Sequence, residues 1–264
     1  MNTATDYEIV PVSAFSDNYI WLLRRGDQAA VVDPGDATPV LDYLDQQKLA
    51  LCAILATHHH ADHIGGIEEL RARYDVPVYG PAGESIASLS HPLHAGESIQ
   101  LPSLGAAFEV IAVPGHTRAH IAYYDRNHAS CGSLFCGDAL FACGCGRIFE
   151  GTPMLMRYSL ARLAALPETT RIYCAHEYTQ ANIRFALAVD PENGALLARA
   201  EEVAQLRAAH RPTLPTTLKL ELAVNPFLRW DAPAIIAAAQ RHSGKPVVQA
   251  DDVFATIREW KNGF

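Results

Sequence analysis

Leu51-Cys52-Ala53-Ile54-Leu55-Ala56 runs straight into Thr57-His58-His59-His60-Ala61-Asp62-His63. An unbroken apolar run of this kind reads as a strand buried on both faces, inside a sheet that is covered on each side. Five of the seven residues from Thr57 to His63 can bind a metal ion, which packing does not explain. The chain must therefore fold so that an interior strand opens at its C-terminal end onto a metal site. Written by ligand type the run is H-x-H-x-D-H. The alternation lets His58 and His60 point one way and Asp62 and His63 another, so two metal positions follow from one loop. Neutral imidazoles and carboxylates suit zinc, iron or manganese. The competing reading is a His-rich surface tract or a tag, but a tag would be terminal and would lack Asp62.

One loop cannot complete two coordination shells, so further ligands are expected at other strand ends. Pro114-Gly115-His116-Thr117 follows a strand-like segment ending at Val113, Cys136-Gly137-Asp138 follows Leu134–Phe135, and Cys174-Ala175-His176-Glu177 follows Arg171–Tyr173. A glycine or alanine stands before each candidate ligand, His116, Asp138 and His176, where a small residue lets the backbone approach a crowded site. Each fragment alone reads more simply as a polar turn. Their joint appearance in this order is what points to a metal centre.

The pattern along the chain predicts an α+β fold. Tyr7–Phe15, Tyr19–Arg25, Ala29–Asp33, Val76–Tyr79, Phe108–Val113 and Ala119–Tyr124 are short, β-rich and bounded by turns. Helical spacing appears at Pro39–Gln47, at Ile64–Tyr74 with Ile67 and Leu70 inward, and at Tyr158–Leu166. Arg171–Ala175 reads as a last strand. Beyond residue 176 the signal is helical: Thr179–Val189, then a helix capped by Asp190-Pro191 and running to about His210, then Ala234–Arg241 and Asp252–Lys261. The expected division is a catalytic domain at 1–176 and a helical C-terminal, substrate-binding domain at 177–264.

Composition narrows the function classes. A formal net charge of −8 with no Lys/Arg cluster argues against nucleic-acid binding. No apolar run is long enough to cross a bilayer, and the stretch from Met1 to Val10 carries Asp6 and Glu8 with no apolar core of a signal peptide, so a cytoplasmic protein without membrane attachment is expected. The six cysteines form no CxxC pair and read as small buried hydrophobes in a reducing compartment, although Cys143-Gly144-Cys145-Gly146 invites a reactive-thiol alternative. Gly-x-Ser-x-Gly is absent.

With these residues together, the chain resembles the metallo-β-lactamase superfamily and, more closely, the glyoxalase II family within it. The likeness covers nearly the whole chain, through Thr57–Gly66, Pro114–Thr117, Gly137-Asp138, Gly144-Cys145-Gly146-Arg147, Cys174–Thr179 and Asn225-Pro226-Phe227-Leu228-Arg229. It implies an αββα sandwich with a helical C-terminal domain. It implies two divalent metal ions, zinc in the first instance with iron or manganese as alternatives. His58, His60 and His116 would hold the first, Asp62, His63 and His176 the second, and Asp138 would bridge them, while His59 faces away. The implied reaction is hydrolysis of S-(2-hydroxyacyl)glutathione, typically S-D-lactoylglutathione to glutathione and D-lactate, the second step of methylglyoxal detoxification, by a hydroxide bridging the metals. Asp62 and Asp138 would be the catalytic carboxylates. Arg147, Phe149, Tyr178 and Arg229 match positions that contact the glutathione thioester in the family. The chain departs from some members at Phe149, where they carry a Tyr, and at Ala232, where they carry a Lys, so one glutathione contact is either missing or supplied elsewhere, with Lys245 as one candidate. A monomer is expected.

Three rivals share these motifs. A lactonase-type or β-lactamase-type hydrolase of the same fold would need the metals but not Arg147 and Arg229. A glutathione persulfide dioxygenase would use one iron, and the complete second set of Asp62, His63 and His176 argues against it. A non-catalytic metal-binding module has no residue in its favour.

Overall fold

The computed structural model describes residues 6–86 and 88–264, so the first five residues of the N-terminal stretch lie outside the described residues. By compactness the chain divides into one unit of Met1–Val113 with Thr117–Gly137, and a second of Pro114–His116 with Asp138–Phe264.

The first unit is two facing sheets with helices outside one of them. β1 (Glu8–Ala14), β2 (Asn18–Arg25) and β3 (Gln28–Val32) form an antiparallel meander. Helix α1 (Ala37–Gln47) then crosses over so that β4 (Ala50–Leu55) pairs parallel with β3. Asp36 caps α1, accepting from the Thr38 amide, and Lys48 ends it in a left-handed conformation. After β4 come α2 (Ala61–Ile64), α3 (Ile67–Arg73), β5 (Val78–Pro81) and β6 (His91–Leu93), both strands again parallel to their neighbours. Ile64–Tyr74 is thus not one helix. Gly65-Gly66 interrupts it, because the Gly66 amide turns to the Pro34 carbonyl at 2.9 Å and packs against the β3–α1 turn. Val40 and Leu44 of α1 and Ile67 and Leu70 of α3 meet Ile20, Leu22, Val31 and Ile54 from the sheet in one buried cluster.

The second sheet of this unit is antiparallel, in the order β7 (Ser98–Leu101), β8 (Ala106–Ala112), β9 (Ile121–Asp125) and β10 (Ser133–Gly137). Its inner face reaches the first sheet through Tyr123, whose hydroxyl donates to the Ala56 carbonyl at 2.9 Å. That bond lands on the end of β4, immediately before the histidine run.

The second unit holds a small hairpin, β11 (Leu140–Phe141) with β12 (Gly144–Cys145), then α4 (Pro153–Ala164) and β13 (Arg171–Cys174). Thr152 caps α4 and Pro153 opens it, so the helix begins five residues ahead of the apolar spacing at Tyr158. Next come α5 (Thr179–Val189), α6 (Gly194–Ala208), β14 (Thr216–Thr217), α7 (Leu218–Val224), α8 (Pro233–Ser243) and α9 (Ala250–Asn262). β14 pairs antiparallel with β13, so Arg171–Cys174 is not the last strand. Asn193, not Asp190, caps α6, through the Ala195 and Leu196 amides, since the Asp190 carboxylate is taken by Arg229 and Asn193. Ile183 and Ala186 of α5 pack with Leu196 and Val203 of α6 and Val224 of α7. A ring cluster of Phe185, Phe227, Phe254 and Trp260 joins α5 to α9.

Candidate active site

Four expected ligands follow β4, His58 and His60 on the loop that leaves it and Asp62 and His63 in α2. Asp33, 4% exposed, accepts from the Thr57 amide and the Thr57 hydroxyl, each at 2.7 Å, and so fixes where the loop turns. Its Oδ2 also lies 3.0 Å from His63 Nδ1. The negative charge beside Nδ1 favours the tautomer with the proton there, which leaves the Nε2 lone pair presented, 3.5 Å from Asp62 Oδ2. Asn18, from the start of β2, donates to that same Asp62 oxygen at 3.0 Å. His58 Nε2 and His60 Nδ1 lie 3.1 Å apart. The His58 ring stacks on His120 at 4.6 Å. His59 turns the other way, with Nδ1 2.8 Å from Glu84 Oε2.

His116, Asp138 and His176 come together within the second unit. Asp138 Oδ2 is 3.4 Å from His116 Nε2, and its Oδ1 is 3.3 Å from His176 Nε2. His116 donates through Nδ1 to the Arg147 carbonyl at 2.8 Å, which leaves Nε2 as the presented nitrogen. The His176 ring is stacked on Tyr178 at 4.6 Å. Asp138 depends on the glycine before it: Gly137 has φ +47, and a Cβ there would meet Thr57 Oγ1 at 2.3 Å.

These separations bear on the metal. Ligand atoms about 2.1 Å from a tetrahedral zinc stand about 3.4 Å from one another. Three of the distances between candidate ligand atoms, 3.5, 3.4 and 3.3 Å, match that spacing and exceed the about 2.8 Å of a charge-assisted hydrogen bond, while the 3.1 Å between His58 and His60 is also a hydrogen-bond distance. All donors are imidazole nitrogens or carboxylate oxygens, so these His and Asp side chains form a donor set fitted to a divalent metal.

A cavity of about 400 Å³ opens beside the second cluster, lined by His116, Asp138, Phe141, Cys145, Arg147, Phe149, Tyr178, Asn182, Arg258 and Lys261. Arg147, Phe149 and Tyr178, three of the residues expected to contact substrate, line this cavity. Arg229 is not among the lining residues; its Nη1 lies 2.5 Å from Asp190 Oδ2, tying the turn after α7 to the end of α5. Nor is Lys245, an exposed residue of the turn after α8.

The cations at the cavity are Arg147 and two residues of α9 that the sequence reading passed over. Arg258, 4% exposed, donates to the Cys145 and Gly146 carbonyls at 3.1 and 3.3 Å and lies over the Phe227 ring. Lys261 donates to Asn182 Oδ1 and lies over Phe185 and Phe227. Burial, reinforced by Arg258, pushes the Lys261 amine down to about 8. A signal was available: Phe254, Arg258 and Lys261 stand at i, i+4 and i+7, so two charges continue the apolar stripe of the last helix. Burial pushes the Cys143 and Cys145 thiols up, which leaves both protonated and removes the reactive-thiol alternative.

Comparison with known proteins gives consistent results. Residues 15–176 match the metallo-beta-lactamase superfamily, and residues 177–264 match the hydroxyacylglutathione hydrolase C-terminus. A hydroxyacylglutathione hydrolase of Nitrosomonas eutropha is 51% identical over 257 residues, covering 97% of this chain and 99% of the relative. One of Dechloromonas aromatica is 53% identical over 270 residues, covering 97% and 99%. Among solved structures, TTHA1623 in a di-iron-bound form superposes with a TM-score of 0.57 at 28% identity, over 84% of this chain and all of that one.

Proposed function

The chain belongs to the hydroxyacylglutathione hydrolase family of the metallo-β-lactamase superfamily, and from that premise we propose that it hydrolyses S-(2-hydroxyacyl)glutathione thioesters, with S-D-lactoylglutathione giving glutathione and D-lactate. The observation that carries the reading is the single cavity in which Asp138 and His116 share walls with Arg147, Arg258 and Lys261. A glutathione thioester has a reacting carbonyl at one end and two carboxylates elsewhere. It needs this combination of metal ligands and cations; a lactone or a β-lactam does not.

In this proposal His58, His60 and His116 hold one divalent metal and Asp62, His63 and His176 a second, with Asp138 shared. Two such ions, proposed as zinc, supply the Lewis acidity that generates hydroxide near neutral pH and polarises a thioester carbonyl. The protein's own residues set the rest. Asp33 and the Arg147 carbonyl hold the protons of His63 and His116 on Nδ1, so that Nε2 faces the reacting groups. Asn18 steadies Asp62, which orients the attacking water. Lys261, with Arg147 at the exposed rim, meets the glutathione carboxylates, and the buried Arg258 adds positive charge behind them. The departing thiolate, with a pKa of about 8.5, leaves without a general acid. Phe149, 59% exposed and edge-on to the His116 ring, packs against the substrate but donates no hydrogen bond to it.

Among the described residues no helix is long and apolar enough to cross a membrane. All six cysteines are free thiols, which supports a reducing, cytoplasmic setting for the proposed monomer. Metal analysis paired with hydrolysis assays on S-D-lactoylglutathione, a lactone and a β-lactam tests the reading. Two metal equivalents and turnover of the thioester alone are expected. Preferential turnover of the lactone or the β-lactam would refute it.

A further inference from the structure

The Asn225–Arg229 segment has a use that does not pass through Arg229. Asn225, fully buried, reaches the β11–β12 hairpin, which starts two residues after Asp138 and ends two residues before Arg147. A hairpin with two residues per strand does not hold its shape alone, and its turn places Cys143 at φ +56, a left-handed conformation that side chains resist. Three side chains from outside hold it. Asn225 Nδ2 donates to the Phe141 carbonyl at 3.1 Å and the Gly144 carbonyl at 2.9 Å. Asn182 Nδ2 donates to the Ala142 carbonyl at 3.0 Å and stands so close that a Cβ on Gly144 would meet it at 2.5 Å. Glu221 Oε2 accepts from the Cys143 amide at 2.8 Å and from Asn225 at 2.9 Å, while its Oε1 accepts from the Thr216 hydroxyl at 2.8 Å. Each of the four residues Phe141 to Gly144 thus gives a backbone group to this clamp. The hairpin's two ends carry the groups that matter to the site: Asp138 before it, and after it the Arg147 carbonyl that fixes His116.

We propose that Glu221 and Asn225 are positioning residues for the thioester hydrolysis, acting by clamping the Phe141–Gly144 hairpin and so aligning Asp138 and the Arg147 carbonyl. A carboxylate with no solvent exposure is costly to keep, and these donors account for its presence. The role rests on the thioesterase reading only for its kinetic readout.

The test compares Glu221→Ala, Asn225→Ala, Glu221→Gln and Thr216→Val as metal-reconstituted full-length protein. Both alanine variants release hairpin groups. Their kcat on S-D-lactoylglutathione should fall about ten- to a hundredfold per folded, metal-loaded molecule. Amide exchange at Cys143 should accelerate while that of β8 stays as it was. Glu221→Gln should be close to wild type, because Oε1 can face Cys143 and Asn225 while the Thr216 hydroxyl rotates to accept from Nε2. Thr216→Val touches the same carboxylate but not the hairpin, so it should lower thermal stability and leave kcat unchanged. Wild-type kcat in a folded alanine variant, or Glu221→Gln as impaired as Glu221→Ala, overturns the proposal. Should neither alanine variant fold, a wild-type Cys143 amide exchanging as fast as an open loop overturns it too. A wild-type protein inert toward the thioester would defeat the functional reading and leave the exchange comparison to judge the clamp.

Discussion

Lys261→Met should make the protein more stable and a worse enzyme, with a pH signature that identifies the cause. The amine falls from its usual 10.5 to about 8 because it is buried beside Arg258. At 1.36 kcal/mol per pH unit, the fold disfavours the ammonium by about 3 kcal/mol at pH 7. Methionine matches the length of the side chain and exchanges the cation–π contacts with Phe185 and Phe227 for sulfur–aromatic ones of similar worth, but loses the bond to Asn182. That loss costs about 1 kcal/mol, so the net gain is about 2 kcal/mol, or a Tm rise of about 4 °C for a chain of this size. The sign with pH follows from proton counting. Between about 8 and 10.5 the unfolded chain holds more protons than the folded one, so wild-type stability rises through that window. More than half of the penalty is therefore gone by about pH 9.5, and the advantage of Lys261→Met shrinks with it. Other groups titrate in both proteins and cancel in the difference. Scanning calorimetry of both proteins at pH 7 and pH 9.5, at one fixed metal concentration, measures this. In parallel, KM for the glutathione thioester should rise about tenfold, the worth of one charge-assisted hydrogen bond. A Tm that is unchanged or lower at pH 7, or a gain that persists at pH 9.5, would refute the idea that a buried cation is held there at the expense of the fold.

Asp138→Ala should remove turnover and most of the bound metal, because one carboxylate faces both His116 and His176; metal analysis and the thioester assay check it, and full activity would dismantle the site. Arg229→Ala should leave KM within about twofold, since Arg229 does not line the cavity, yet cost about 2 kcal/mol by stranding Asp190, read by denaturant unfolding; a selective rise in KM would return Arg229 to the substrate. Gly137→Ala should cost about 2 kcal/mol or more and lower metal content, because its Cβ meets Thr57 Oγ1 at a left-handed φ. A Gly137→Ala protein with wild-type metal content and unfolding midpoint would show that this backbone can relax.

What could be read from the sequence was local. The buried run before Thr57, the helix at Thr179–Val189 and the small residues before His116, Asp138 and His176 each carry their evidence within a few positions. The errors arise where a distant partner decides. Asp190-Pro191 has the form of a helix start, but Arg229, 39 residues on, takes the carboxylate, and Asn193 caps instead. Ile64–Tyr74 has an unbroken helical spacing, but Gly66 is pulled to Pro34. Lys261 was missed because, at the end of a short terminal helix, a lysine looks like an ordinary solvated charge until burial is known.

The ligand set alone does not determine the chemistry, because an imidazole offers either of two nitrogens and a carboxylate either of two oxygens. In this chain the choice is made by groups that bind no metal. Asp33 decides for His63, the Arg147 carbonyl for His116, and Asn18 for one oxygen of Asp62. Each lies 30 to 44 residues from the ligand it serves, on a different element, so the preference is built by folding rather than by the H-x-H-x-D-H run. A protein given only those seven ligands in the right places, without these partners, would sample the wrong tautomers for part of the time and bind metal more weakly by about ten- to a hundredfold. Replacing Asp33 with Asn, which keeps the shape but offers one acceptor to three donors, should expose that dependence: metal affinity measured by competitive chelation should fall, and unchanged affinity would mean that the first coordination sphere orients itself.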